Sequence, residues 1–385
     1  MDSVTVDSIP RPFLRSFIFI LIIASVWLAG CTGQIANESW PGLSTDGETV
    51  YVAYGPQVLA YNVEAQQSLW SFPAEPGGTL FFYAPPSVQD NRIVIGDYGA
   101  SRGMLTPGTV VTIYALEDGQ QSTPALLWSD DTLASDRIVA PPLQVGDRAF
   151  VGTADNKVLA LDATTGAELW EFDTGHSIWA QPTYHEGTLY VASLDRHLYA
   201  LEAESGRELW RAELSGALSD SPVVGDGLVY VASFGEQLHA LDLETGEEVW
   251  TADAEDWIWG APALVDSVLY FADSRGNVYA VEADSGNEIW RAQAAGSVLT
   301  SPLVAGDVVY VASEGDRDVE QGVLIAYDAG SGQELWQQTT PAPLFTTPVI
   351  VNDEIIVALQ SESALLIAFE LESGSQRWSF APPAA

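Results

Sequence analysis

Cysteine is all but missing from this chain, with Cys31 standing alone among 385 residues. A single thiol excludes structural disulfides, cysteine-built zinc or iron–sulfur sites, and an intramolecular redox pair. Positive charge is scarce as well. Fourteen Lys+Arg face 53 Asp+Glu, a formal net charge of −39, and Lys157 is the one lysine. Nucleic acid is held mainly by Lys and Arg against phosphate, and anionic headgroups attract the same residues, so neither is a fitting partner. There is no H-E-x-x-H zinc helix and no glycine-rich phosphate loop ahead of a helix. The longest apolar run, Phe17 to Trp27, covers 11 residues, well short of the ~20 that span a bilayer as a helix. What the chain has in quantity is core material: 47% hydrophobic and 10% aromatic residues point to a large globular domain despite the charge.

That apolar run follows Arg11 and Arg15 and ends in Leu28-Ala29-Gly30-Cys31. A basic segment, an apolar segment and a small-residue cleavage site are the three parts of a secretory signal. The segment resembles a bacterial lipoprotein signal, which implies removal of residues 1–30 and lipidation of Cys31. Cleavage removes Asp2, Asp7, Arg11 and Arg15, so the exported part keeps the charge of −39. The polar stretch TGQIANES that follows reads as a tether, residues 31–39, between anchor and domain.

Periodicity decides the fold. Trp170, Trp210, Trp250 and Trp290 are 40 residues apart, with Trp336 and Trp378 downstream and Trp128 and Trp70 upstream. Residues 188–210 and 228–250 share 11 of 23 positions. Within each unit a Pro-led apolar segment, two alternating runs and a run ending in tryptophan are separated by Gly/Asp and Thr/Ser-Gly turns. Four short strands per unit is the arithmetic of a propeller blade, and the period-two alternation excludes a helical solenoid. The expected fold is all-β: an eight-bladed β-propeller of four-stranded antiparallel blades over residues 40–385, about 42 residues per blade.

The unit ends, ALDATTGAELW (160–170), ALEAESGRELW (200–210), ALDLETGEEVW (240–250), AVEADSGNEIW (280–290) and AYDAGSGQELW (326–336), resemble the tryptophan-docking motif of pyrroloquinoline-quinone-type (PQQ-like) repeats. The glycine permits positive φ at the turn and the tryptophan wedges between blades. Blade 1 lacks the glycine and blade 2 carries an insertion, so these are the irregular blades. The resemblance brings in the quinoprotein dehydrogenases, which hold their quinone between a tryptophan and a disulfide of adjacent cysteines, beside a calcium and a catalytic aspartate. With Cys31 as its one cysteine, the chain does not fit that quinone site; neither PQQ nor an enzymatic role is expected. His176, His185, His197 and His239 occupy no shared repeat position and read as surface or hydrogen-bonded strand residues.

Inter-blade connections and second-to-third-strand turns share one face of a propeller, where binding loops collect. Three residues before the leading proline stand Tyr83, Trp179, Trp259 and Phe345, with His176, Trp257, Phe81 and Phe82 nearby. These aromatics read either as interface anchors or as a plug in the central mouth; Val139, Ser219 and Leu299 interrupt the ring. On the same face lies SEGDRDVEQG, in which Glu314, Asp316, Asp318 and Glu320 offer alternating carboxylates to a hard cation such as calcium, although Gln321 stands where an EF-hand needs glycine.

A lipobox followed by an eight-blade repeat domain resembles the BamB family, lipoprotein subunits of the outer-membrane β-barrel assembly machine. The resemblance implies an envelope scaffold that binds protein partners through inter-blade loops, here 175–181 and 256–261, working as a monomer within a complex. It implies anchoring to the outer membrane on the periplasmic side, or to the outer face of the cytoplasmic membrane in a single-membrane envelope. A quinone-dependent dehydrogenase-like or glycan-binding surface protein is the alternative.

Overall fold

A computed structural model describes residues 40–76, 80–101, 109–119, 123–316, 318–361 and 363–381. Cys31 and the signal-like segment lie outside them. The described residues form eight four-stranded antiparallel sheets, spanning 42–72, 87–130, 143–173, 183–213, 223–253, 263–293, 303–340 and 349–380, and no helix. These are blades 1 to 8 of a propeller, all but blade 2 built from strands consecutive in sequence. Blade 5 is representative, with strands Val223–Gly225, Leu228–Ser233, Gln237–Asp242 and Glu248–Asp253. Blade 2 differs by a small ribbon, Ala100–Ser101 against Thr109–Val110, inserted between its second and third strands.

The first two strands of a blade are joined by tight turns, which in blades 2, 4, 5 and 6 have positive φ at both central positions, such as Asp226-Gly227 (53° and 80°) and Asp266-Ser267 (47° and 62°). That backbone matches the strand twist, which is why Asp, Asn and Gly gather there. The middle strands are buried on both faces because a blade has a neighbour on each side, hence near-continuous runs like LVYVAS rather than strict in-out alternation. Each core is therefore shared. Tyr230, Leu238 and Ala240 of blade 5 pack with Leu269, Phe271 and Tyr279 of blade 6. The ring closes the same way, Val50, Val52 and Tyr61 of blade 1 packing on Val351, Ile356 and Leu366 of blade 8.

A β-bulge precedes the tryptophan of every blade; in blade 5, Leu241 pairs with Glu248 and Ala240 with Trp250, leaving Val249 unpaired. The skipped residue is pushed outward, so Leu69, Leu127, Leu169, Leu209, Val249, Ile289 and Leu335 form an exposed aliphatic rim. The tryptophan swings against the next blade instead. Trp250 Nε1 donates to Ala283 O at 3.2 Å, and its ring lies on Gly286, where a Cβ would come within 2.5 Å of the indole. The same contact recurs between Gly166 and Trp128, Gly206 and Trp170, Gly246 and Trp210, Gly332 and Trp290, and Gly374 and Trp336. The motif glycine is thus needed for close approach as well as for its positive φ. The tryptophans are less uniformly interior than their spacing suggests. Trp70, Trp170, Trp290 and Trp378 are buried, whereas Trp128, Trp210, Trp250 and Trp336 are half-buried at the blade edge.

Candidate functional site

The inter-blade loops and the second-to-third-strand turns lie on one face and are laced together by backbone hydrogen bonds. Each turn donates to the loop entering its own blade, as in Leu194 N–H to Ser177 O (3.0 Å), Phe234 N–H to Ala217 O (2.9 Å) and Ser274 N–H to Trp257 O (2.9 Å). Each loop donates in turn to the preceding blade, as Ile178 does to Thr153 O (3.1 Å) and Leu218 to Ser193 O (3.2 Å). Side chains on this face are therefore held on a hydrogen-bonded platform rather than on free loops.

The aromatic residues of the mouth do not form one ring. Trp179 and Trp259 meet at 6.3 Å between ring centroids, Phe234 packs on Trp259 at 4.9 Å, and Trp257 stacks on Phe234 at 5.6 Å. This ladder of four runs from the mouth to an exposed end, Trp257 being 52% exposed and the others half-buried. Ser219, which interrupts the pattern in sequence, makes the ladder possible. A small residue between the lead-ins of blades 4 and 6 leaves room for the two indoles, and its Oγ donates to Trp259 O at 2.9 Å. Phe345 belongs to a separate pair, stacked at 5.3 Å on the exposed Trp40. Tyr83 belongs to a third group, 4.2 Å from Tyr98, whose ring carries the Arg137 guanidinium at 4.7 Å. Phe82 is core. Trp40, Tyr98 and Phe234 escaped the sequence reading because they stand outside the position three before the proline.

Asp220, in the lead-in to blade 5, ties three blades together near the axis. It accepts from Ser221 N–H (2.7 Å), from Ala261 N–H of blade 6 (2.9 Å) and from Ser301 Oγ of blade 7 (3.1 Å). Burial raises its pKa above the usual carboxylate value, and these donors pull it back down. Both carboxylate oxygens are thereby engaged in holding the lead-ins together.

The acidic segment is a hairpin rather than a loop. Strands Val308–Asp316 and Gln321–Asp328 extend past the neighbouring blades and pair Asp316 with Gln321. Glu314 is buried while Asp318 and Glu320 are exposed; the Asp316 side chain lies outside the described residues. Among the described residues no three His, Cys, Asp or Glu gather into a metal-binding group.

The histidines divide. His176 is exposed at the loop into blade 4, its Nδ1 accepting from Ser177 N–H (2.8 Å), and His185 is exposed on a first strand. His197 sits half-buried beside Asp195, with Nδ1 3.1 Å from that residue's carbonyl. His239 is fully buried and lies between Ser215, Ser233 and Glu248. The one sequence signal for it was that blade 5 places histidine where blades 4 and 6 have Tyr199 and Tyr279.

The fold and its docking tryptophans define a propeller of PQQ-like repeats. Residues 25–171, 154–257 and 235–382 match the model of the family described as outer membrane protein assembly factor BamB, and the chain belongs to that family. A probable quinate dehydrogenase (quinone) from Xanthomonas campestris pv. juglandis is 31% identical over 127 residues, which make up 32% of this chain and 14% of that protein. The chain thus spans a small fraction of that relative. Among solved structures, BamB from Moraxella catarrhalis superposes with a TM-score of 0.57 at 21% identity, over 71% of this chain and 81% of that one. The computationally designed Ika8 protein gives 0.68 at 14% identity, over 89% and 97%. A europium-containing methanol dehydrogenase gives 0.62 at 13% identity, over 79% of each. At these identities the structural likenesses concern the fold.

Proposed function

We propose that this chain is a scaffold of the cell envelope, anchored by a lipid on Cys31, that binds a protein partner in the assembly of outer-membrane proteins. The observation that carries the reading is the ladder Trp179–Trp259–Phe234–Trp257 on the hydrogen-bonded loop face. A preordered aromatic strip with one exposed end suits protein capture, since aromatics dominate interface energetics and these are already immobilised. Membership of the BamB family supports the partner class.

The test is a photo-crosslinking residue in place of Trp257, with Trp179, Trp257 and Trp259 replaced together by alanine in a second strain. Crosslinking to a subunit of the barrel-assembly machinery, and its loss in the triple variant at nearly unchanged melting temperature, is the expected result. Absence of any crosslink, or a collapse of stability in the triple variant, overturns the assignment. Cys31→Ser addresses the anchor separately, with movement from the membrane to the soluble fraction, or a block in maturation, expected.

The dehydrogenase relative raises a second reading. The quinone site that resemblance implies needs a disulfide of adjacent cysteines, and this chain's one cysteine is Cys31. Asp220, the carboxylate that links three blades in the loop lead-ins, spends its oxygens on N–H and O–H donors. The residues present do not fit the group. Purified protein given pyrroloquinoline quinone and calcium should show neither saturable binding nor dye reduction with quinate, alcohols or sugars, and clear turnover would reinstate the second reading.

A further inference from the structure

Blade 5 departs from its neighbours at one spot on the loop face, and the repeat supplies the comparison. In blade 4 a turn aspartate, Asp195, accepts the backbone N–H of Gly175 (2.6 Å) and the hydroxyl of Tyr199 (2.6 Å). In blade 6 Asp273 accepts the N–H of Glu255 (3.2 Å) and the hydroxyl of Tyr279 (2.8 Å). Blade 5 has neither aspartate: Gly235 stands in the place of Asp195, Ser233 stands in the place of Asp273 as Ser193 does in blade 4, Ser215 stands in the place of Gly175 and Glu255, and His239 in the place of the tyrosines. Relative to blade 4, three positions have changed together: 215, 235 and 239.

The replacement set has its own geometry. Ser215 Oγ lies 3.1 Å from His239 Nε2, and His239 Nδ1 lies 2.7 Å from Glu248 Oε1. Ser233 Oγ is also 3.1 Å from Nε2, but its proton has an acceptor in Gln237 O at 3.2 Å, the bond that Thr153 makes to Lys157 O in blade 3. Glu248 takes the Nδ1 proton, so Nε2 carries the lone pair; Ser215, whose Oγ also lies 3.2 Å from Ser233 Oγ, is the hydroxyl whose proton is not committed to a backbone carbonyl. Burial holds His239 below its ordinary pKa of 6.5, against the upward pull of Glu248, so the ring is neutral at pH 7. Ser215 is exposed while Ser233 and His239 are not, which leaves Ser215 as the group a solute can reach. Gly235 is what admits it, because a Cβ there would stand 2.2 Å from Ser215 Oγ.

We propose that Ser215, His239 and Glu248 constitute an acyl-transfer site for uncharged carboxylic esters, with Ser215 as nucleophile. Ser215 Oγ bonds to the acyl carbon as its proton passes to Nε2. The imidazolium, steadied by Glu248, returns that proton to the departing alkoxide, and the alcohol leaves. Water then attacks the acyl-serine, loses its proton to Nε2, and releases a carboxylic acid as Oγ is reprotonated. The counterparts of the Ser215 N–H at 175 and 255 each donate to a turn aspartate that blade 5 lacks, and this N–H would serve as the donor to the developing oxyanion. Phe234, next to Gly235, and the Trp257 stacked on it offer an apolar wall for the acyl or alcohol group. A net charge of −39 disfavours anionic esters, hence the uncharged class.

The site goes beyond the scaffold reading and is tested without reference to any partner. Purified protein is treated with a fluorophosphonate and the modified peptide identified by mass spectrometry, and p-nitrophenyl acetate hydrolysis is followed in parallel. Stoichiometric labelling on Ser215 is expected, absent from Ser215→Ala and slowed ~10²-fold or more by Glu248→Gln, the lower end of what a positioned acid–base group contributes. The combined variant Ser215→Gly, Gly235→Asp, His239→Tyr rebuilds the blade 4 arrangement and serves as the folded control. Equal labelling of wild type and that control, labelling on another serine, or no labelling of folded wild type with excess probe overturns the proposal.

Discussion

Tyr230 and Trp250 stand on the second and fourth strands of blade 5 and donate to one carbonyl, that of Ala283 in blade 6, at 3.0 and 3.2 Å. Their rings are 5.9 Å apart. The pair recurs as Tyr190 with Trp210 on Leu243 O, Tyr270 with Trp290 on Ala329 O, and Tyr310 with Trp336 on Leu371 O. The joins that blades 4, 5, 6 and 7 make to the next blade are thus two-donor clamps on one carbonyl, backed by an aromatic contact.

The clamp predicts unequal costs. Tyr230→Phe removes one of two donors and should lower stability by about 0.5–1.5 kcal/mol. Trp250→Ala removes the other donor together with the wedge, and should cost about 3–5 kcal/mol. Urea melts of the single and double variants check this. Equal effects of the two changes would mean that the indole packs little and serves chiefly as a donor.

Two glycines separate backbone strain from steric contact. Gly227 has φ of 80° and open space for 4 Å around the point a Cβ would occupy, whereas Gly246 has φ of 71° and a Cβ there would meet the Trp210 ring at 2.5 Å. Gly227→Ala should cost about 1–2 kcal/mol, the left-handed penalty alone. Gly246→Ala should cost more, because Trp210 must also shift, and thermal melts that rank the two the other way would contradict the docking geometry.

His239 makes stability depend on pH with a definite sign. Its pKa is lowered in the folded protein, chiefly by burial, while the unfolded chain titrates near 6.5. Above that value both states are neutral and the contribution is complete. As pH falls below it the unfolded state binds the proton first, and stability is lost until the folded value is reached. The groups bonded to the ring are Glu248, Ser215 and Ser233, and of these Glu248 is the ionisable one. His239→Gln should therefore lose less stability than wild type on acidification from pH 7 to 5, and parallel curves would contradict it.

The charge of −39 on one chain predicts a salt response. Self-repulsion is screened over about 8 Å at 0.15 M and over a shorter distance at higher salt. The melting temperature should climb from millimolar towards molar sodium chloride. A flat or falling curve would indicate that the carboxylates are spaced widely enough on the ring to ignore one another.

The forty-residue tryptophan spacing was enough to count blades and strands, because a blade is a local object: four consecutive strands, with turn chemistry written into Asp-Gly and Thr-Gly pairs. The docking glycine was legible as a turn residue for the same reason. Its second task, lying flat under the tryptophan of the preceding blade, was not, since that contact joins residues such as Trp210 and Gly246 across a blade boundary. The aliphatic rim was hidden too, because a bulge one residue before the tryptophan turns Val249 and its equivalents outward against the simple alternation.

By itself, then, the sequence determined the all-β class, the eight-fold repeat, the face on which the loops gather and the chemistry absent from the chain, all of which follow from local pattern and composition. Only the tertiary structure decided which side chains meet. It sorted Tyr83, Trp179, Trp259 and Phe345 into three separate clusters, turned Ser219 from a gap into the space where two indoles touch, and brought Ser215, His239 and Glu248 together. The physical reason is that strand period and turn type act over a few residues. Ring packing and proton-sharing on the loop face instead depend on distances between chain segments that the repeat brings side by side but does not make alike.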